Sequence, residues 1–182
     1  MRVAVTGTPG TGKTTATELL EDRLADGESA IEDGDALEVI HLNETLEEEE
    51  LYTAIDPDRE SKIADLDALA DRLADYERAV IESHLAHHFE ADRIVVLRCE
   101  PAQLEQRLLE RGESEAKATE NAESEALDVV LAEAVEEHGL ESVYEIDTTD
   151  RDPQRIVADL EAVVAGDREP SAGEVDFVGY LE

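Results

Sequence analysis

The sequence has little that would staple it, anchor it in a membrane or attract polyanions. Cysteine occurs once, as Cys99, so no internal disulfide can form. That fits a reducing, cytoplasmic setting, with Cys99 as a small buried residue ending a strand rather than a catalytic thiol. No apolar run is long enough to cross a bilayer. Met1-Arg2-Val3-Ala4-Val5-Thr6 passes straight into a Gly-rich turn, too short and wrongly flanked for a secretory leader. Lysine occurs only as Lys13, Lys62 and Lys117, and 15 bases face 49 acids, for a formal net charge of −34. Such a surface repels nucleic-acid phosphates and excludes non-specific nucleic-acid binding, while it suits basic protein partners. No Asn-Lys-x-Asp segment is present to read guanine, which speaks against a GTPase.

What is present is a folded pattern. The 182 residues make one domain by size, and 41% of them are hydrophobic, spaced periodically along the whole chain. A disordered acidic chain would lack that periodicity. The sequence therefore predicts a folded, carboxylate-rich protein adapted to molar salt, where a screening length of roughly 3 Å removes most of the self-repulsion.

Arg2–Thr6 alternates as a first strand, and Thr14–Leu24 places Ala16, Leu19, Leu20 and Leu24 on one helical face, ended by Gly27. A short strand is expected near Ser29–Glu32, then Gly34-Asp35 and a brief helix through His41. Glu44–Glu50 is an acidic run, and Leu51–Ala64 has the makings of a hairpin. Leu66–Arg78 is amphipathic; Ala79–Ser83 and Arg93–Arg98 are buried strands. Pro101–Arg111 is a helix broken at Gly112, a polar stretch fills Glu113–Thr119, and a long helix ends near Glu137. Ser142–Asp147 is the last strand, and Asp152 caps a helix that has Pro153 at its first position and ends by Gly166. From Asp167 the tail looks irregular. Strands separated by helices of this length predict an α/β fold, a parallel five-stranded sheet with helices on both faces.

Gly7-Thr8-Pro9-Gly10-Thr11-Gly12-Lys13-Thr14 matches G-x-x-x-x-G-K-[ST] at every fixed position, between a strand and a helix. Its glycines let backbone amides close around phosphates, the helix from Lys13 adds a positive end, Lys13 supplies a cation and the Thr14 hydroxyl suits Mg²⁺. ATP with Mg²⁺ is the expected ligand. Glu82-Ser83-His84 ends a strand at the sheet edge where ligands sit. Glu82 can hold a metal-bound water, and His84 can orient a nucleophile or relay a proton. His87 and His88 lack such a context; a metal site from His84, His87 and His88 is the alternative for them. Arg107, Arg111 and Lys117 flank the break at Gly112 and suit a lid that neutralises a transferring phosphoryl group. Asp147-Thr148-Thr149 ends the last strand, where a nucleotide base would lie.

Together these segments resemble one family, the archaeal and nuclear-type adenylate kinases linked to small-ribosomal-subunit maturation. The resemblance rests on Gly7–Thr15, Gly34-Asp35, Glu82-Ser83-His84, Arg107-Leu108-Leu109-Glu110-Arg111-Gly112, and Lys117 with Asn121 and Glu125. It implies a P-loop kinase domain over residues 1–166, with a monophosphate-binding region about 32–55, a lid about 111–121 and a tail at 167–182. The implied reaction is ATP + AMP giving two ADP, with ATPase activity and a basic small-subunit ribosomal protein as partner. Carried over by position, Gly7, Gly10, Thr11, Gly12, Lys13, Thr14, Thr15 and Arg111 bind ATP, and Lys13, His84, Arg107 and Arg111 act in catalysis. Thr14 holds Mg²⁺ directly and Glu82 holds it through water. Two positions depart from the family pattern: Glu82 stands where Asp is common, and Glu38 where an arginine for the acceptor phosphate is expected. The alternatives are an ATP-hydrolysing assembly factor with little kinase activity and a small-metabolite kinase.

Overall fold

The computed structural model describes residues 1–31, 37–56 and 61–181. Five strands form one parallel sheet: β1 (Arg2–Thr6), β2 (Glu38–His41), β5 (Ala79–Glu82), β6 (Arg93–Arg98) and β7 (Val143–Asp147), in the order β2-β5-β1-β6-β7. Alternation along each strand divides the core. Val3, Val5, Val80, Val95, Leu97 and Ile146 face one side and pack on α1 (Lys13–Asp26) and α7 (Pro153–Ala165). Ala4, Ile40, Ile81, Ile94, Val96 and Val143 face the other. There they pack on α2 (Leu42–Glu48), α3 (Leu66–Leu73) and α6 (Val129–His138). Burial on both faces explains why the central strands read as nearly continuous apolar runs.

A third cluster sits beyond the sheet edge. Cys99, Leu104, Leu108, Ala118 and Ala122 join α4 (Pro101–Glu110) to α5 (Glu115–Ala126), and Tyr180 of the tail packs against them. The hairpin expected in Leu51–Ala64 is present as β3 (Tyr52–Asp56) and β4 (Ser61–Ala64).

Four local expectations are corrected. Glu38–His41 is an edge strand paired with β5, not a helix. Ser29, Ala30 and Ile31 belong to no strand, and Glu32, with Gly34-Asp35, lies outside the described residues. The helix from Leu66 stops at Leu73, five residues early, because the chain must turn to start β5 at Ala79. The long helix starts at Glu115 and is broken at Asp128, whose φ of 55° separates α5 from α6. The tail is tied rather than loose: the amides of Gly173, Glu174 and Val175 donate to Glu145 Oε2.

β1 lies between β5 on one side and β6 on the other, so its carboxyl end opens into the crevice where the strand order reverses. The Gly7–Thr14 loop leaves β1 at that point. Among the described residues no helix is long and apolar enough to cross a membrane.

Candidate active site

Gly7 begins the phosphate loop with φ of 139°, and a Cβ there would meet Leu97 O at 2.5 Å. Only glycine lets the loop lie so close to β6. Gly12 caps α1 at φ 96°, turning the free amides of the first helical turn into the loop. Lys13 folds back inside and donates from Nζ to Gly7 O at 2.8 Å and Thr8 O at 3.2 Å. Burial lowers its pKa to about 8, against the raising influence of Glu82 and Glu125. A buried ammonium held on carbonyls is poised to exchange them for phosphate oxygens.

At the floor, Thr14 Oγ1 is 3.4 Å from Glu82 Oε1, and Glu82 is nearly fully buried. Hydroxyl and carboxylate are hard oxygen donors of the kind Mg²⁺ takes. An Mg²⁺ carried by a nucleotide would fit them: Thr14 would be a ligand, Glu82 would hold a metal-bound water, and the ion would supply charge neutralisation to the phosphates. The other Glu82 oxygen meets His41 Nδ1 at 3.0 Å, and His41 Nε2 meets Glu21 Oε2 at 3.1 Å. Partial burial alone would lower the His41 pKa; hydrogen bonds to Glu82 and Glu21 outweigh it and raise the value. His41 and Glu21 were not legible as site residues. The signal lay in Glu38-Val39-Ile40-His41, a strand whose last residue reaches the ligand edge. Glu38, at the opposite end of that strand, is exposed and stands level with the start of β5.

Two cavities meet the loop. One, of about 170 Å³, touches its carboxyl-terminal half at Gly10, Thr11, Gly12 and Thr15, with Arg107, Arg111, Thr148 and Arg151 around it. Arg107 is held in place there, donating to Gln103 Oε1 at 2.7 Å and Thr148 O at 3.3 Å. Thr148 donates to Thr11 O at 2.9 Å, which brings the Asp147–Thr149 loop onto the phosphate loop. The second cavity, of about 510 Å³, touches the amino-terminal half at Thr8 and Pro9, with His84, Lys117, Asn121 and Glu133 among its walls. The cluster read as Arg107, Arg111 and Lys117 is therefore split: the arginines line the first cavity and Lys117 the second, because the chain reverses at Gly112.

His84 presents its ring to the second cavity. Desolvation against the cavity walls, then the nearby Lys13, His87 and His88, push its pKa down to about 4, although part of the side chain remains open to solvent. The shift favours the neutral imidazole, in a residue that is itself solvent-exposed.

Behind the loop lies a buried ion cluster. Arg98 donates from Nε to Glu125 Oε1 at 2.8 Å and also pairs with Glu145 and Asp128. Glu125 in turn accepts from Thr8 Oγ1 and from the Cys99 amide. One carboxylate thus links the phosphate loop, β6 and α5.

Known proteins resemble this chain in sequence and in fold. A family model described as an AAA domain matches residues 3–128. A protein of Natronomonas pharaonis named "Putative adenylate kinase" is 58% identical over the full length of both chains. Proteins of the same name from Halobacterium salinarum and Methanocaldococcus jannaschii are 53% and 37% identical, covering 100% and 97% of this chain and 100% and 93% of theirs. The chain belongs to this archaeal family. The fold recurs in a shikimate kinase from Bacteroides thetaiotaomicron (TM-score 0.57, 19% identity, 90% of this chain and 98% of that one). It recurs too in a gluconokinase from Sinorhizobium meliloti (TM-score 0.54, 18% identity, 91% of each chain).

Proposed function

We propose that the chain is a nucleoside monophosphate kinase of adenylate kinase type, moving the γ-phosphoryl group of ATP to AMP and giving two ADP. The observation that carries this is the pair of cavities meeting one phosphate loop, one at Gly10–Thr15 and the other at Thr8-Pro9. A hydrolase needs room for one nucleotide and a water; a kinase needs a donor and an acceptor on opposite sides of the transferring group.

ATP lies in the Arg107 and Arg111 cavity with its phosphates in the amide nest, and the monophosphate enters beside His84 and Lys117, in a cavity that no described residue of the expected 32–55 region lines. The bond from Pγ to the β–γ bridging oxygen breaks while a phosphate oxygen of the acceptor bonds to Pγ. The acceptor is already anionic, so no base is required. Lys13, Arg107 and Arg111 balance charge on the transferring group, and Thr14 and Glu82 would hold an Mg²⁺ that would neutralise the phosphates. The relatives' shared name supports this assignment.

A second reading rests on His84. A neutral imidazole beside the loop can orient or deprotonate water, which suits ATP hydrolysis in an assembly factor that grips a basic ribosomal protein through its acidic surface. Formation of ADP from ATP with and without AMP separates the two. The kinase assignment expects strong dependence on AMP; hydrolysis indifferent to AMP overturns it.

A further inference from the structure

The turn Ala86–His88 follows β5 and packs on α6, bringing two histidines to two glutamates. One ring nitrogen of His87, one of His88 and a carboxylate oxygen of Glu133 lie within 4.8 Å of one another. His87 Nε2 is 3.1 Å from Glu133 Oε2, and His88 Nδ1 is 2.7 Å from Glu137 Oε1. Donor atoms around a tetrahedral ion with bonds near 2.1 Å stand about 3.4 Å apart, so little movement would admit one.

One of the two proton arrangements open to His87 leaves Nε2 free for an ion. Thr6 Oγ1 donates to His84 O at 3.3 Å and lies 2.8 Å from His87 Nδ1. A hydroxyl has one proton; with it on His84 O, the Thr6 oxygen accepts from Nδ1–H. The Nε2 lone pair then faces a carboxylate oxygen, two acceptors in contact. A metal cation between the two atoms satisfies both.

We propose that His87, His88 and Glu133 bind one divalent transition-metal ion of the zinc class, with Thr6 and Glu137 orienting the imidazoles. Two nitrogens and one carboxylate suit zinc and its neighbours, whereas Mg²⁺ prefers oxygen alone. A partner on the second nitrogen is the usual companion of a ligating histidine. Three protein ligands leave a fourth position, and all three residues line the larger cavity, which His84 and Lys117 share. The site is separate from the Thr14 and Glu82 oxygens.

The test is titration of the untagged, metal-free full chain with Zn²⁺ in molar KCl containing excess Mg²⁺, followed by Co²⁺ absorption. One equivalent of Zn²⁺ should bind and resist Mg²⁺. His88→Ala and Glu133→Gln, at side chains that are not buried, should each weaken binding by at least about tenfold and abolish the Co²⁺ visible band. Glu137→Gln should cost about 10–100-fold through the orienting contact. Equal Zn²⁺ binding by wild type and all three variants, or displacement by Mg²⁺, would overturn the site. Glu133 would then simply accept from a protonated His87 Nε2, with the Thr6 hydroxyl turned to Nδ1.

Discussion

Replacing Arg98 by methionine keeps a long buried side chain and deletes its charge. The guanidinium is 1% exposed, and its partners Glu125 and Glu145 are 3% and 1% exposed, so water cannot take its place. Neither carboxylate is wholly abandoned. Glu125 keeps the Thr8 hydroxyl and the Cys99 amide, and Glu145 keeps the Gly173, Glu174 and Val175 amides. Breaking a buried pair by removing one partner costs about 3–5 kcal/mol, and the remaining donors place this case near the lower end, about 3 kcal/mol. For a chain of this size that lowers Tm by about 6–12 °C. Thermal unfolding followed by far-UV circular dichroism in molar KCl is the assay, because a buried pair is screened little and the loss should survive high salt. Adding Glu125→Gln to the variant should recover part of the loss, since it removes one uncompensated buried charge. A fall in Tm below about 3 °C would show that the cluster is not the clamp described above.

Lys13→Ala should lower phosphoryl transfer by at least about a hundredfold in a chain that still folds. In the wild type, ATP phosphates should raise the Lys13 pKa from about 8, so binding near that pH takes up a proton. Calorimetry in two buffers of different ionisation enthalpy reads that uptake, and binding without it would contradict the lysine's role. His84→Gln should cut kcat while leaving ATP affinity nearly intact. With a pKa of about 4 in the free enzyme the ring stays neutral as pH falls, so kcat/KM should show no acid limb from it above about pH 5. The net charge of −34 predicts that Tm rises steeply between about 0.1 and 2 M KCl as the screening length falls from roughly 10 Å to below 3 Å. A flat or falling Tm would show that the acidic surface is no salt adaptation.

The phosphate loop was legible because its chemistry is local: glycines at fixed offsets, then lysine and threonine. β1, β5 and β6 were legible because burial on both faces leaves an apolar run, and β7 by its β-branched and aromatic residues although Glu145 interrupts them. β2 was not, since an edge strand of four residues carrying Glu38 and His41 has no clear period. The break at Asp128 was hidden because a left-handed aspartate leaves no Gly or Pro signal; its side chain pairs with Arg98 instead. The Arg98 cluster joins residues 27 to 47 positions apart, and only tertiary packing brings them together. The same holds for Glu133, which closes the histidine cluster from a different helix.

Transfer of label from γ-labelled ATP to AMP tests the central claim most directly. The two-cavity site predicts labelled ADP formed from AMP, one for each unlabelled ADP left from ATP, and at least about a hundredfold less with Lys13→Ala. Label released only as inorganic phosphate, at a rate indifferent to AMP, would contradict it.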